Sequence, residues 1–252
     1  MIPTESKHPG GTVGVITNEL TRYTMFAISL SALWIPKGTM LSWQVGQWIE
    51  HGLNQIVLTR KGEWVWFMGD DHQFPQDVLL RLLDRNVDVV VPLVCIRKPP
   101  FAAVVYTPNP PGHQQKYAAV PWEAMPREGM FTEVNGVSVR TGTAGMLIRS
   151  HVFEKLAYPW FECGKTNPEG PGEDLWLCEK LIAAGLRIHV DTETAIGHTV
   201  PMTAWPARNR RREHIISLDM GNEFHLQFKA EDGGLSPVDD EEGEPSGGGD
   251  DE

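Results

Sequence analysis

The sequence predicts an α/β protein: a mostly parallel central sheet covered by helices on both faces, with an acidic tail after it. Three observations predict this. Short apolar runs alternate with helical patterns over the first hundred residues. Two of those runs, 64–68 and 87–94, are apolar on successive residues rather than alternate ones, the pattern of strands buried on both faces. The first of them ends in charge, "WVWFMGDDHQFPQD", and in parallel sheets the ligand site lies beyond the carboxyl ends of the strands.

Taken in order, "TVGVIT" (12–17) reads as a strand and "RYTMFAISLSAL" (22–33) as a helix. A weak strand near "TMLSW" precedes a helix through "VGQWIEHGLNQIVLTR", whose apolar spacing falls at Trp48, Ile49, Leu53, Ile56 and Val57. Strand 64–68, a helix over 75–85 opened by Pro75, and strand 87–94 complete the regular part. The second half is less regular. A Pro-rich loop surrounds a strand at 102–106, a hairpin turns at Asn135-Gly136, and "AGMLIRSHVFEKL" reads as a strand entering a short helix. "PGEDLWLCEKLIAAGLRIHV" is clearer: two acids open a helix over 173–184, Gly185 ends it, and a strand follows at 187–190.

The net charge of −11 is carried by one end. Ten acidic residues and no Lys or Arg lie between Glu231 and Glu252, which leaves 22 basic against 23 acidic residues elsewhere. That stretch is rich in Gly, Ser and Pro and cannot bury enough surface to offset its ordering entropy, so 230–252 is expected to be a disordered tail. The neutral body argues against strong nucleic-acid binding. No apolar run is long enough to span a bilayer and the N-terminus lacks signal-peptide order, so a cytoplasmic location is expected. Cys95, Cys163 and Cys178 are widely separated, which suggests buried free thiols rather than disulfides or a thiolate metal site.

Adjacent carboxylates at the end of a buried strand repel each other and cost desolvation unless something positive sits there. Asp70 and Asp71 suit a hard divalent ion such as Mg²⁺ or Mn²⁺, and His72 shifts the preference toward Mn²⁺. On these residues alone a helix cap with a solvated loop is an equal reading. Likewise Glu173-Asp174 can be simple charge at a helix N-terminus, and "ARNRRREH", with Arg208 and Arg210 to Arg212, can be a solvated face, a lid over phosphates, or a dock for the tail.

Several blocks together resemble GT-A-fold glycosyltransferases, family-2-like members of bacterial and phage type. "GEWVWFMGDDHQFPQDVLLRLL" resembles their metal-binding segment, and "NVDVVVPLVCIRKPPF" their next strand. "RTGTAGMLIRSHVFEKLAYPWF" is similar to their glycine-containing strand, and "GEDLWLCEKLIAAGLRIHVDTETAIGHT" to their acid-pair helix and closing Gly-His. The blocks cover residues 12–200. The resemblance implies a GT-A-like three-layer α/β/α fold of Rossmann type over 1–229, with a nucleotide-sugar half (10–95) and an acceptor and catalytic half (96–229). It implies metal-dependent transfer of a hexosyl-type sugar from a nucleotide diphosphate to a glycan, protein or modified nucleobase, in the host cytoplasm if the gene is a phage's.

By the same resemblance, Thr17, Asn18, Glu19, Asn54, Asp70 and Arg97 hold the donor, Asp71, His72 and His198 hold Mn²⁺ or Mg²⁺, and Asp174 is the general base with Glu173 second. One departure stands out: Gly69 takes the place where the family carries the first aspartate. The register can be read through Asp71 or as Asp70-x-His72, and both keep a carboxylate on the metal. Metal-dependent phosphoester or nucleotide hydrolysis, and a degenerate sugar-nucleotide-binding module, are the competing readings.

Overall fold

A computed structural model describes residues 1–17, 24–163 and 171–200, together with the backbone of four later strands. In chain order the strands are β1 (Ile2–Thr4), β2 (Thr12–Thr17), β3 (Trp34–Pro36), β4 (Met40–Val45), β5 (Trp64–Gly69), β6 (His72–Gln73) and β7 (Val89–Leu93). There follow β8 (Val105–Pro108), β9 (Tyr117–Ala119), β10 (Met130–Phe131), β11 (Glu133–Val134), β12 (Val137–Ser138), β13 (Arg140–Thr141), β14 (Leu147–Arg149), β15 (His189–Ala195) and β16 (Gly197–His198). The helices are α1 (Thr24–Ala32), α2 (Ile49–Thr59), α3 (Val78–Asp84) and α4 (Glu173–Ala183).

Seven strands form the central sheet in the order β10-β15-β7-β14-β5-β2-β4. Strands β4, β2, β5, β7 and β15 share one direction, whereas β14 and β10 run against it. The sheet is therefore mostly parallel, as expected. Successive residues of β5 face opposite ways, so Val65 and Phe67 join one core and Trp64, Trp66 and Met68 the other. The first core takes Leu53, Ile56 and Val57 of α2 with Leu177, Cys178 and Leu181 of α4. The second takes Phe26 and Leu30 of α1 with Val78, Leu79, Leu82 and Leu83 of α3. Two helices on each face make the three layers.

Strand β14 enters the sheet antiparallel between β5 and β7, so its preceding loop, 142–146, lies at the carboxyl ends of the parallel strands. Gly145 fits there because φ is +75° and a Cβ would meet Pro92 Cγ at 2.5 Å. The expected hairpin is β11–β12 with Asn135 and Gly136 both at positive φ, the demand of a tight two-residue turn. Of the cysteines only Cys178 is buried; Cys95 and Cys163 are partly exposed, a correction to the expectation of three buried thiols.

The chain divides into two compact units, Met1–Thr199 and Val200–Glu252. The second contains a four-stranded antiparallel meander, β17 (Thr203–Arg208), β18 (His214–Asp219), β19 (His225–Glu231) and β20 (Gly234–Pro237). None of these strands is anticipated by the sequence reading, and β20 begins within the stretch assigned to the tail. Residues 238–252 lie outside the described residues, as do Arg210, Arg211 and Arg212. Among the described residues no helix is long and apolar enough to cross a membrane.

Candidate active site

Strand β5 runs apolar to its end and then turns at Asp70 and Asp71, at the carboxyl edge of the sheet. The two carboxylates part there. Asp70 is buried and accepts a hydrogen bond from the Thr17 hydroxyl at the end of neighbouring β2. Asp71 meets two imidazoles. After the turn, β6 pairs antiparallel with β16, and this register sets His72 directly opposite His198. The rings stack, with centroids 4.4 Å apart and planes 22° from parallel. The Thr199 N–H donates to the Asp71 carbonyl at 2.7 Å and closes the turn onto the second strand. A cross-strand pair thus joins residues 126 positions apart, which no local sequence pattern reveals.

His198 Nδ1 lies 2.9 Å from the Cys95 carbonyl, which can only accept, so that nitrogen carries the proton. His198 Nε2 lies 3.2 Å from Asp71 Oδ2, and Arg97 NH1 approaches the same oxygen at 3.1 Å. His72 Nδ1 is 2.8 Å from Asp71 Oδ1, whereas its Nε2 is buried and has no hydrogen-bond partner among the described residues; the residue is only 4 % exposed. Burial alone raises the proton affinity of Asp71, but its bonds to His198 and His72, reinforced by their charges, hold the carboxyl well below the usual range.

These contacts fit a divalent cation. One ligand atom from each of Asp71, His72 and His198 lies within 4.8 Å of the others. Donors sharing an ion at about 2.1 Å sit about 3 Å apart along an edge of its shell, and the separations of 2.8 and 3.2 Å match. The bond from His198 Nδ1 to a backbone carbonyl is the usual way of fixing a ligating imidazole. The buried Nε2 of His72, without a hydrogen bond among the described residues, calls for a partner. Gly69 also has its reason here, because a Cβ would stand 2.9 Å from Asp71 Oδ1 and 3.2 Å from His72 Nδ1.

Helix α4 begins at the Gly-rich loop and brings Glu173 and Asp174 in its first turn. Asp174 Oδ1 accepts from the Leu175 N–H at 2.7 Å, and Gly142, in the loop before β14, lies against its other oxygen. Burial raises the proton affinity of Asp174 against the pull of backbone N–H groups. Glu173 is raised as well, by burial first, then by the charge of Asp174 and that of Glu50 on α2. The Tyr106 phenol is pushed up by burial and by Asp174. Burial thus moves both carboxyls in the direction that makes a carboxylate a stronger proton acceptor.

No family model and no curated protein matches the chain. Among solved structures it is similar to A197 from STIV, at 14 % identity over 84 % of this chain and 95 % of that one, TM-score 0.48. It is also similar to residues 1–349 of S. aureus TarS, at 16 % identity over 75 % of this chain and 60 % of that one, TM-score 0.47. The TarS complex with UDP-GlcNAc aligns at 15 % identity over 75 % of this chain and 58 % of that one, TM-score 0.44.

Of the residues expected to hold the donor, Thr17, Asp70 and Arg97 lie at the strand ends beside Asp71, whereas Asn18 and Glu19 lie outside the described residues. Asn54 is engaged by backbone groups. Its Nδ2 donates to the carbonyls of Glu50 and Phe161, both at 2.8 Å, and its Oδ1 accepts from the N–H groups of Trp160 and Phe161 at 3.0 and 3.2 Å. Both donors and both acceptor sites are used, so Asn54 ties α2 to the 160–161 segment and has no group left for a nucleotide. Trp160 and Phe161 belong to the core rather than to a sugar platform. The sequence reading missed the Cys95 carbonyl, which orients His198, and Glu50, which joins the acid pair; neither carries a motif signal.

Proposed function

We propose that the protein transfers a glycosyl group from a nucleotide-diphosphate sugar to an acceptor hydroxyl, with a divalent metal at Asp71, His72 and His198 and with Asp174 as the general base. The observation that carries this reading is the pairing, at one edge of the sheet, of a cation-competent cluster flanked by Arg97 with a carboxyl poised to take a proton. A divalent ion and the Arg97 guanidinium set against Asp70 and Asp71 leave one positive charge, which suits a diphosphate. When bound, the ion supplies charge neutralisation for the departing diphosphate.

The chain's own groups divide the remaining work. Arg97, 46 % exposed at its side chain, offers donors to phosphate oxygens. The bond between Thr17 and Asp70 ties together the ends of β2 and β5, beneath the donor. Asp174 takes the acceptor proton as the hydroxyl oxygen attacks the anomeric carbon, and Glu173 borders it on the acceptor side. Mn²⁺ or Mg²⁺ as the ion, and a glycan, protein or modified nucleobase as the acceptor, complete the proposal.

The test is product analysis with a panel of nucleotide sugars, metals and acceptors. Asp71→Asn is expected to lose metal-dependent turnover. Asp174→Asn is expected to bind donor and metal normally while turnover falls about 10²–10⁴-fold. Phosphate release from simple esters without preference for sugar nucleotides would reject the transferase reading in favour of hydrolysis.

A further inference from the structure

We infer that the Asp71, His72 and His198 centre is a metal site in its own right, which takes a divalent transition ion of the Mn²⁺ to Zn²⁺ series without a nucleotide and discriminates against Mg²⁺, the other ion of the proposed reading. The inference rests on the proposed reading of this cluster as the metal centre and adds to it the identity of the ion and the order of binding.

The donor set argues it first. One carboxylate and two imidazoles are ligands that suit Fe²⁺, Co²⁺, Ni²⁺ and Zn²⁺, whereas Mg²⁺ favours oxygen donors in a regular octahedron and sheds its water reluctantly. A site built from carboxylates alone leaves a hard ion to be held largely by substrate phosphates. Here two of the three clustered donors are nitrogens, the neighbouring Asp70 carboxylate is engaged by the Thr17 hydroxyl, and Gly69 adds no side chain of its own.

Preorganisation argues it second. His72 is held by its place in β6, buried at 4 % exposure and stacked on His198, with Nδ1 2.8 Å from Asp71 Oδ1 and Nε2 without a hydrogen bond among the described residues. His198 is fixed in register opposite it, with Nδ1 bonded to Cys95 and Nε2 turned to Asp71. Facing lone pairs on Nε2 and on a carboxylate oxygen need either a proton or a cation between them. The ordering entropy of these three ligands is therefore met largely by the fold, and no phosphate is needed to assemble them.

The experiment uses the full-length chain, stripped of metal with a chelator and titrated with Co²⁺ alone while visible absorption is followed. The expected result is a protein-bound Co²⁺ spectrum without nucleotide, lost on adding stoichiometric Zn²⁺ and retained against about a hundredfold excess of Mg²⁺. His72→Gln and His198→Ala should each weaken Co²⁺ binding about 10–100-fold, with far-UV circular dichroism reporting the fold. Displacement of Co²⁺ by Mg²⁺ overturns the inference on the wild-type chain alone, whatever the variants do. Binding of Co²⁺ only when UDP is added also overturns it, yet leaves the proposed function standing. Failure to bind Co²⁺, Mn²⁺ or Mg²⁺ with or without UDP removes both.

Discussion

At the residue scale, the same side-chain chemistry serves structure at one position and function at another, and burial with bond count separates the two. Asn54 and His72 are each 4 % exposed. Asn54 spends every donor and acceptor on backbone, whereas His72 meets Asp71 through Nδ1 and leaves Nε2 without a hydrogen bond among the described residues. Asn54→Ala should accordingly lower stability by about 2–4 kcal/mol, since it strands buried N–H and C=O groups at 160 and 161, and should leave the donor KM unchanged. Urea melts at constant m-value alongside donor titrations check this. Unchanged stability with a raised donor KM would return Asn54 to the nucleotide site. The sequence makes Asn54 look like a ligand because its place on the helix matches a motif, and a motif does not record where the amide's four bonds go. Asp71 draws attention for a different reason: a carboxylate past a doubly buried strand needs a compensating partner, although the sequence does not say whether that partner is a cation, a basic side chain or a hydroxyl.

At the scale of elements, strands and helices of the first hundred residues were readable because period and burial agree along each one. What the sequence could not carry is who pairs with whom. The insertion of β14 between β5 and β7, and the pairing of β6 with β16, depend on contacts made far along the chain. The bulge in β15 is the device that aims the second pairing: register with β7 jumps from Asp191 to Ala195, and β16 follows at once. Asp191 is 0 % exposed and holds the bulge, accepting from Arg85 Nε and NH2 at 2.8 Å, from the Thr194 hydroxyl at 2.7 Å and from the Glu193 N–H at 3.1 Å. Removing one partner of a buried pair leaves the other uncompensated, so Asp191→Ala should cost about 3–5 kcal/mol in denaturant melts. Asp191→Asn keeps the shape and loses the charge. It should fold and bind Co²⁺ about tenfold more weakly, because the strand bearing His198 is then less firmly aimed. Wild-type affinity in a folded Asn variant would show that the bulge does not position the ligand.

At the scale of the whole molecule, the acids of α4 set a pH dependence whose sign follows from their directions of shift. Glu173 and Asp174 have folded proton affinities above their unfolded ones, chiefly through burial. Groups of that kind stabilise the fold fully below their unfolded pKa, and the contribution is lost as pH rises through the folded value. Glu179, about one and a half turns further along the same helix, is opposite: burial raises it, but Arg140 and the Tyr117 hydroxyl outweigh this and lower it. Its contribution is present above its unfolded pKa and lost as pH falls through the folded one. Stability should therefore rise as pH is lowered from neutral through the folded-state values of Glu173 and Asp174, where the native carboxyls bind protons that the unfolded chain still lacks, and should fall in stronger acid as Glu179 is protonated. Asp174→Asn keeps the carbonyl that accepts from Leu175 and removes the buried charge. In chelator-treated protein it should be more stable than wild type at neutral pH, and the gain should shrink as pH enters the ordinary carboxylate range. A variant less stable than wild type at neutral pH, with a parallel pH curve, would mean that Asp174 holds α4 in place by its charge, and its assignment as a proton acceptor strained by burial would have to be given up.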